Sequence, residues 1–426
     1  MLLRVATILA CLATLPQLLT YAGHVRRGDY PGSAYQPRLD AMIEVSRTAA
    51  AGGPLAAVGG PFQFRGVERI QPDLGVPITA DLLGRARGRP IGLRTLGALN
   101  LAFLAAALFG LVAVLPTPFH AGLIPVFLLV PLYSQAYVSA DIPTIHGALC
   151  VLAFLLAVIA ARGVPPCAAM LVGVSIFVLH RFRAAHGLYC IATMLAVSAW
   201  TFRQRRERRF LIAPALALAA VIALALAWKV GIGRRAQDER FADKDLMGTH
   251  EVFHPLLSGV GWSPNRWNIE PWDPRVAQFM ADRLGLEPVG VFTAESERRA
   301  RVVYTSLWRE APGHLVRLYL SRVPGAFRDQ FVMGRLGVGL WLLATGVALA
   351  RAWKRGETAC SPVIVGAATM VLCLVAQSVV VDPRPLYAYA LKVLSALSLS
   401  VSMTSIAILG LGSGTGPSRM TSTTGR

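Results

Sequence analysis

Apolar runs long enough to cross a bilayer recur along this 426-residue chain, and no other feature constrains its fold so tightly. A bilayer core needs about 20 apolar residues per helix. Inside it each backbone amide must be satisfied within its own segment, so runs of this kind read as helices. Ten runs are candidates: Val5–Thr20, Thr95–Leu115, Ala121–Val138, Ile142–Ala161, Val164–Leu179, Leu188–Phe202, Leu211–Val230, Leu336–Ala350, Val363–Val381 and Leu386–Leu411. With 54% hydrophobic and 15% charged residues and a mean hydropathy of +0.53, the composition excludes an ordinary soluble domain. The expected fold class is therefore an all-α polytopic membrane protein.

The runs divide the chain. Residues 1–22 hold the first span, read as a retained signal anchor, although small residues before Gly23 also suit signal-peptide cleavage. Residues 23–94 are a Gly/Pro/Arg-rich first loop, 95–230 a core of six spans, and 231–335 a second large loop. Residues 336–411 supply three more spans, and 412–426 a Ser/Thr/Gly tail. The six cysteines show no CxxC and no paired spacing, so they read as small packing residues.

A formal charge of +19 invites a nucleic-acid reading, but the placement of that charge argues against it. Much of it lies in short connectors: the Arg203–Arg209 run, then Arg351, Lys354 and Arg355, then Arg419 and Arg426 in the tail. One orientation puts all of them in the cytoplasm, as the positive-inside rule requires of short loops. Both termini are then cytoplasmic, and both long loops face outward.

One outward turn breaks that rule. His180-Arg181-Phe182-Arg183-Ala184-Ala185-His186 carries two arginines between spans that look short. Charges at membrane depth are costly and mark functional cavities by default. The competing reading is that Arg181 and Arg183 snorkel to lipid phosphates.

His250-Glu251-Val252-Phe253-His254 matches the HExxH zinc motif in letters. Its chemistry needs both histidines on one helical face. Pro255 disfavours the helical region for His254 and is expected to end any helix there, so no metal is assigned. Trp262, Trp267 and Trp272 follow among Gly, Pro, Asn and Arg. Such aromatic faces suit sugars or lipid headgroups, and equally suit an interfacial belt.

Two carboxylates stand at the outer ends of spans. Asp29 follows the first span, and Asp141 lies between the third and fourth, just before Ile142-Pro143. Asp141 is also a competent helix N-cap, and Asp29 a competent salt-bridge partner for Arg26 or Arg27.

This layout resembles the GT-C superfamily of membrane glycosyltransferases, which use polyprenyl-phosphate-linked sugars at the outer face. The resemblance rests on the order of span and loop and on Ser139-Ala140-Asp141-Ile142-Pro143 followed by Gly147-Ala148-Leu149. The stretch from His250 to Asp273 is also similar to a loop of bacterial members, which implies a bacterial inner (plasma) membrane. Asp29 and Asp141 fall at the family's acidic positions. The resemblance implies Asp29 as catalytic base and Asp141 as a second acid that orients the acceptor or holds a divalent cation. Arg181 and Arg183 would clamp the donor phosphate, with His180, His186, Trp262 and Trp267 completing the substrate site. The expected partners are a lipid-linked sugar phosphate and membrane lipids. Asp29 is followed by Tyr30 rather than a second acid, and the Asp141 turn holds no DxD, so no cofactor is firmly assigned. Competing classes are an O-antigen polymerase or ligase, a transporter, and a non-catalytic scaffold of the same fold.

Overall fold

The computed structural model describes residues 2–14, 16, 86, 88, 93–128, 146–182, 184–235, 252–290, 293–330, 332–355, 360–381 and 385–411. These residues are 85% helical with no strand. Fourteen helices are described: α1 (Leu2–Leu12), α2 (Leu93–Val114), α3 (His120–Leu128), α4 (His146–Ala160), α5 (Pro166–Phe182), α6 (Ala184–Arg205) and α7 (Arg209–Arg235). After them come α8 (Phe253–Val260), α9 (Asp273–Leu284), α10 (Ala294–Glu310), α11 (Pro312–Gln330), α12 (Gly334–Arg355), α13 (Ser361–Val380) and α14 (Pro385–Leu411).

Among the described residues five helices are long and apolar enough to cross a membrane: α6, α7, α12, α13 and α14. The apolar helices α1, α4 and α5 are shorter, as is the apolar stretch Leu101–Val114 within α2. This is the architecture of a helical membrane protein. Its outer surface agrees, because α12 alone exposes Leu336, Leu340, Leu342 and Leu343. An apolar surface of that kind suits lipid contact better than water.

Inside the bundle, small and hydroxylated residues hold the helices together. Ser395, Ser398, Ser402 and Ser405 form a fully buried stripe on α14. Trp341 Nε1 donates to Ser398 at 2.8 Å, and Thr345 and Ser402 share a bond of 3.1 Å, so α12 and α14 lie side by side. Such stripes let backbones approach where lipid supplies no hydrophobic drive. The α5–α7 contact uses the same device, since a Cβ at Gly173 would lie 2.4 Å from the Ala217 carbonyl oxygen.

The helix ends sort into two sets. At one end Arg4 donates to Thr117 at 2.9 Å, Arg162 donates to the Val114 carbonyl at 2.7 Å, and Arg351 donates to the Ile406 carbonyl. The basic Arg203–Arg209 connector joins them there, with Arg209 and Phe210 beside Gly163. These contacts gather the basic side chains at one end of the described bundle.

At the other end stands a helical subdomain with its own core, formed by α8 to α11. Leu257, Val276, Val303, Leu307 and Leu315 centre it, and Val379 of α13 packs against it. It falls within the 231–335 segment that the sequence reading places between spans without naming its helices. There α10 is capped by Thr293, whose hydroxyl accepts from the Ser296 amide at 3.1 Å, and it opens with Glu295 and Glu297. A side-chain cap and early acids satisfy orphan amides and complement the helix dipole. α9 carries Pro274 in its first turn and stops at Gly285, whose φ of 65° closes the last turn.

Candidate functional site

The sequence reading puts His180–Gly187 in a turn between short spans. The structure corrects this: α5 continues to Phe182, α6 starts at Ala184, and only residue 183 separates them. His180 and Arg181 end α5, and His186 lies in the first turn of α6. The joint is tight, since a Cβ at Gly187 would lie 2.5 Å from the His180 Cβ. Glycine at 187 is what allows the histidine to pack there.

Arg181 is buried, at 8% exposure. Its guanidinium carbon lies 4.9 Å from the Phe177 ring centre and 5.2 Å from that of Trp228. The two rings meet edge to face at 5.9 Å. Among the described residues the neighbours of Arg181 are aromatic faces, whose negative quadrupole attracts the cation. The parallel packing of α5 and α7 produces this arrangement, carrying Trp228 up to the last turn of α5.

Two donors in this group remain without a hydrogen-bond partner among the described residues: Arg181 Nε and Trp228 Nε1. A buried donor left unsatisfied costs about 1–3 kcal/mol. Two on neighbouring side chains make a place where an acceptor is favoured. His180 precedes Arg181 on α5, and the buried His186 of α6 meets the Tyr189 ring edge-on at 6.1 Å. Tyr189 in turn donates to Gln377 on α13. Phe177, Trp228, Tyr189 and Gln377 were not singled out from the sequence. The available signal was a tryptophan at the end of one apolar run and a lone amide inside another.

Asp29, Asp141 and Arg183 lie outside the described residues, as do His250 and Glu251. Trp262 and Trp267 belong to the subdomain. Trp262 meets Trp272 edge to face at 5.8 Å. Trp267 donates to Glu310 at 3.0 Å and stands edge-on to His314 at 5.1 Å. The subdomain rests on α13, Arg181 lies on the side of α5 that meets α7, and α6 packs between α5 and α13.

At the HExxH-like string, Pro255 does not end a helix. It lies in the first turn of α8, where a missing amide hydrogen is harmless. Glu297 caps this start by accepting from the Val252, Phe253 and His254 amides at 3.0 to 3.2 Å. His254 is buried with its Nε2 3.4 Å from Asp273. All six cysteines are thiols, four of them buried. Among the described residues no three His, Cys, Asp or Glu side chains gather as a metal set.

Comparison with family models, curated proteins and solved structures finds nothing that matches this chain.

Proposed function

We propose that the chain is a membrane glycosyltransferase that takes a sugar from a polyprenyl-phosphate-linked donor at the outer face, with Arg181 as the ligand of the donor phosphate. The observation that supports this reading is the pair of unsatisfied buried donors, Arg181 Nε and Trp228 Nε1, beside a guanidinium whose neighbours are aromatic. A phosphate oxygen satisfies both donors and neutralises the cation, and a guanidinium fork matches phosphate geometry. The apolar surface of α5 and α7 beside the site provides a path for an isoprenoid tail.

In this reading the basic end is cytoplasmic, and Asp29 and Asp141 act above the bundle. The leaving lipid phosphate gains charge as the sugar departs, and Arg181 stabilises it. Asp29 accepts the proton of the attacking acceptor hydroxyl or amide. A divalent cation, if used, belongs with the two acids.

The test is binding of polyprenyl phosphate to the purified full-length chain in nanodiscs. Arg181→Ala is expected to weaken binding about tenfold or more, and Arg181→Lys to restore part of it. Asp29→Asn is expected to spare binding and abolish sugar transfer. Unchanged affinity in Arg181→Ala overturns the site. Normal transfer by Asp29→Asn overturns Asp29 as the base, and lipid binding without any transfer by the native chain overturns the enzyme and leaves a lipid-binding scaffold.

A further inference from the structure

At the end of the bundle opposite Arg181, a cleft of about 420 Å³ opens among six helix ends. Arg4 of α1, Arg162 of the α4–α5 connector and Arg205 of α6 line its polar side. Val114, Phe210 and Pro362 are among its apolar walls. The volume lies within the range of small-ligand sites, about 300–1,000 Å³.

The charge here is one-sided. Arg4 uses its Nε on the Thr117 hydroxyl, and Arg162 uses one terminal nitrogen on the Val114 carbonyl. Arg205 lies 5.5 Å from the Phe210 ring centre. Glu207, the acid in the neighbouring connector, is held by Arg209 at 2.7 Å. Among the described residues no carboxylate lines the cleft. Burial lowers the pKa of Arg162 from its ordinary value, the direction expected for a cation drawn partly out of water.

A general positive-inside bias puts arginines in short loops but does not require three of them to converge on one concave site. We infer that this cleft binds a phosphate group, that of an anionic phospholipid headgroup at the membrane surface. Its mouth lies at the level where α2, α4 and α6 end and α7 and α13 begin, which is headgroup depth for a bundle of these spans. The apolar walls suit the glycerol and upper acyl region, and the three guanidinium groups suit the phosphodiester. Basic pockets between spans at the cytoplasmic surface recognise anionic headgroups in this way.

The experiment is native mass spectrometry of the full-length chain released from nanodiscs made of phosphatidylglycerol and phosphatidylcholine. Retained phosphatidylglycerol in preference to phosphatidylcholine is expected, with about fivefold loss of that preference in Arg162→Gln and again in Arg4→Gln. Arg162→Lys is expected to keep most of the preference, and Arg208→Gln and Lys354→Gln, exposed at the same end outside the cleft, to keep all of it. Size-exclusion profiles check that each variant is folded. Millimolar inorganic phosphate distinguishes the source: displaced lipid assigns the site to a free phosphate compound, and undisturbed lipid to the headgroup. Equal retention of the two lipids overturns the inference, as does equal loss in cleft and control variants. The Arg181 site is untouched by these variants, so failure of one site leaves the other standing.

Discussion

Arg181 and Arg322 are equally buried, each 8% exposed, and differ in what their nitrogens meet. Arg322 lies on α11 where the subdomain joins the bundle. Its Nε donates to Ser263 at 2.9 Å, and its terminal nitrogens donate to the Val379 and Val260 carbonyls at 3.2 and 3.3 Å. One guanidinium thus ties α8, α11 and α13 together, satisfying late carbonyls of two helices. Among the described residues Arg181 makes no such tie. It lies against two aromatic faces, and its Nε has no acceptor among the described residues. The joint with full satisfaction reads as architecture, while the site with donors left over reads as a place for a ligand.

The strongest way to break that comparison is to remove both side chains and measure stability. Arg322→Ala strands two carbonyls and a hydroxyl in the joint, at an expected cost of about 3 kcal/mol. Arg181→Ala removes an unsatisfied donor along with its aromatic contacts, so a change within about 1 kcal/mol is expected. Thermal melting in detergent, with limited proteolysis across residues 252–330, checks both. Equal losses would erase the distinction.

Ligand binding sharpens it from the other side. Arg181→Ala is expected to lose about tenfold or more in polyprenyl-phosphate affinity, whereas Arg322→Lys is expected to bind normally. Titration calorimetry or native mass spectrometry in nanodiscs measures each. A shared loss would mean that the subdomain joint, and not Arg181, governs binding.

A third probe concerns how the joint is seated. Val260, an acceptor for Arg322, ends α8, and α8 starts on the Glu297 carboxylate. Glu297→Ala removes that cap and is expected to cost about 1 kcal/mol. The loss should appear as faster proteolysis near residue 252 with little change in the bundle. Cleavage within α5 or α7 instead would show that the two regions are one cooperative unit.

Much of the bundle was readable because apolar runs carry their own evidence. The expected Leu336–Ala350 and Val363–Val381 lie within α12 and α13 to about a residue. The subdomain was less visible, since its helices are amphipathic and a search for spans passes over them. In α10 the buried positions Ser296, Ala300, Val303, Tyr304 and Leu307 follow helical spacing amid charged neighbours. That pattern, with Thr293 as cap, was present in the sequence. The α5–α6 joint was misread because two arginines and two histidines look like a loop, although Gly187 leaves room for His180 to pack there. The environment of Arg181 was not legible at all. Trp228 is distant in sequence and meets it only because Gly173 brings α5 and α7 together.

The smallest expected effect comes from an arginine contact in water, which completes the comparison. Glu295 accepts from Arg298 at 2.8 Å and from Arg299 at 2.6 Å on the outer surface of α10. These hydrogen bonds, that of Arg298 first, hold its carboxyl down to about 2. An unfolded glutamate titrates near about 4.3, so the pair stabilises the folded chain above that pH. The contribution fades as pH falls from about 4.3 toward 2, when the native carboxylate also takes a proton. Solvent screens the pair, since Glu295 is 38% exposed, and a gain under about 1 kcal/mol is expected. Proteolysis of the subdomain should therefore accelerate in acid slightly more for the native chain than for Glu295→Gln. Raised salt should shrink that difference. The Arg322 joint uses no carboxylate among its described acceptors, so Arg322→Ala should give the same stability loss across this pH window. A loss that vanished in acid would mean that an acid, and not two carbonyls and a hydroxyl, holds Arg322.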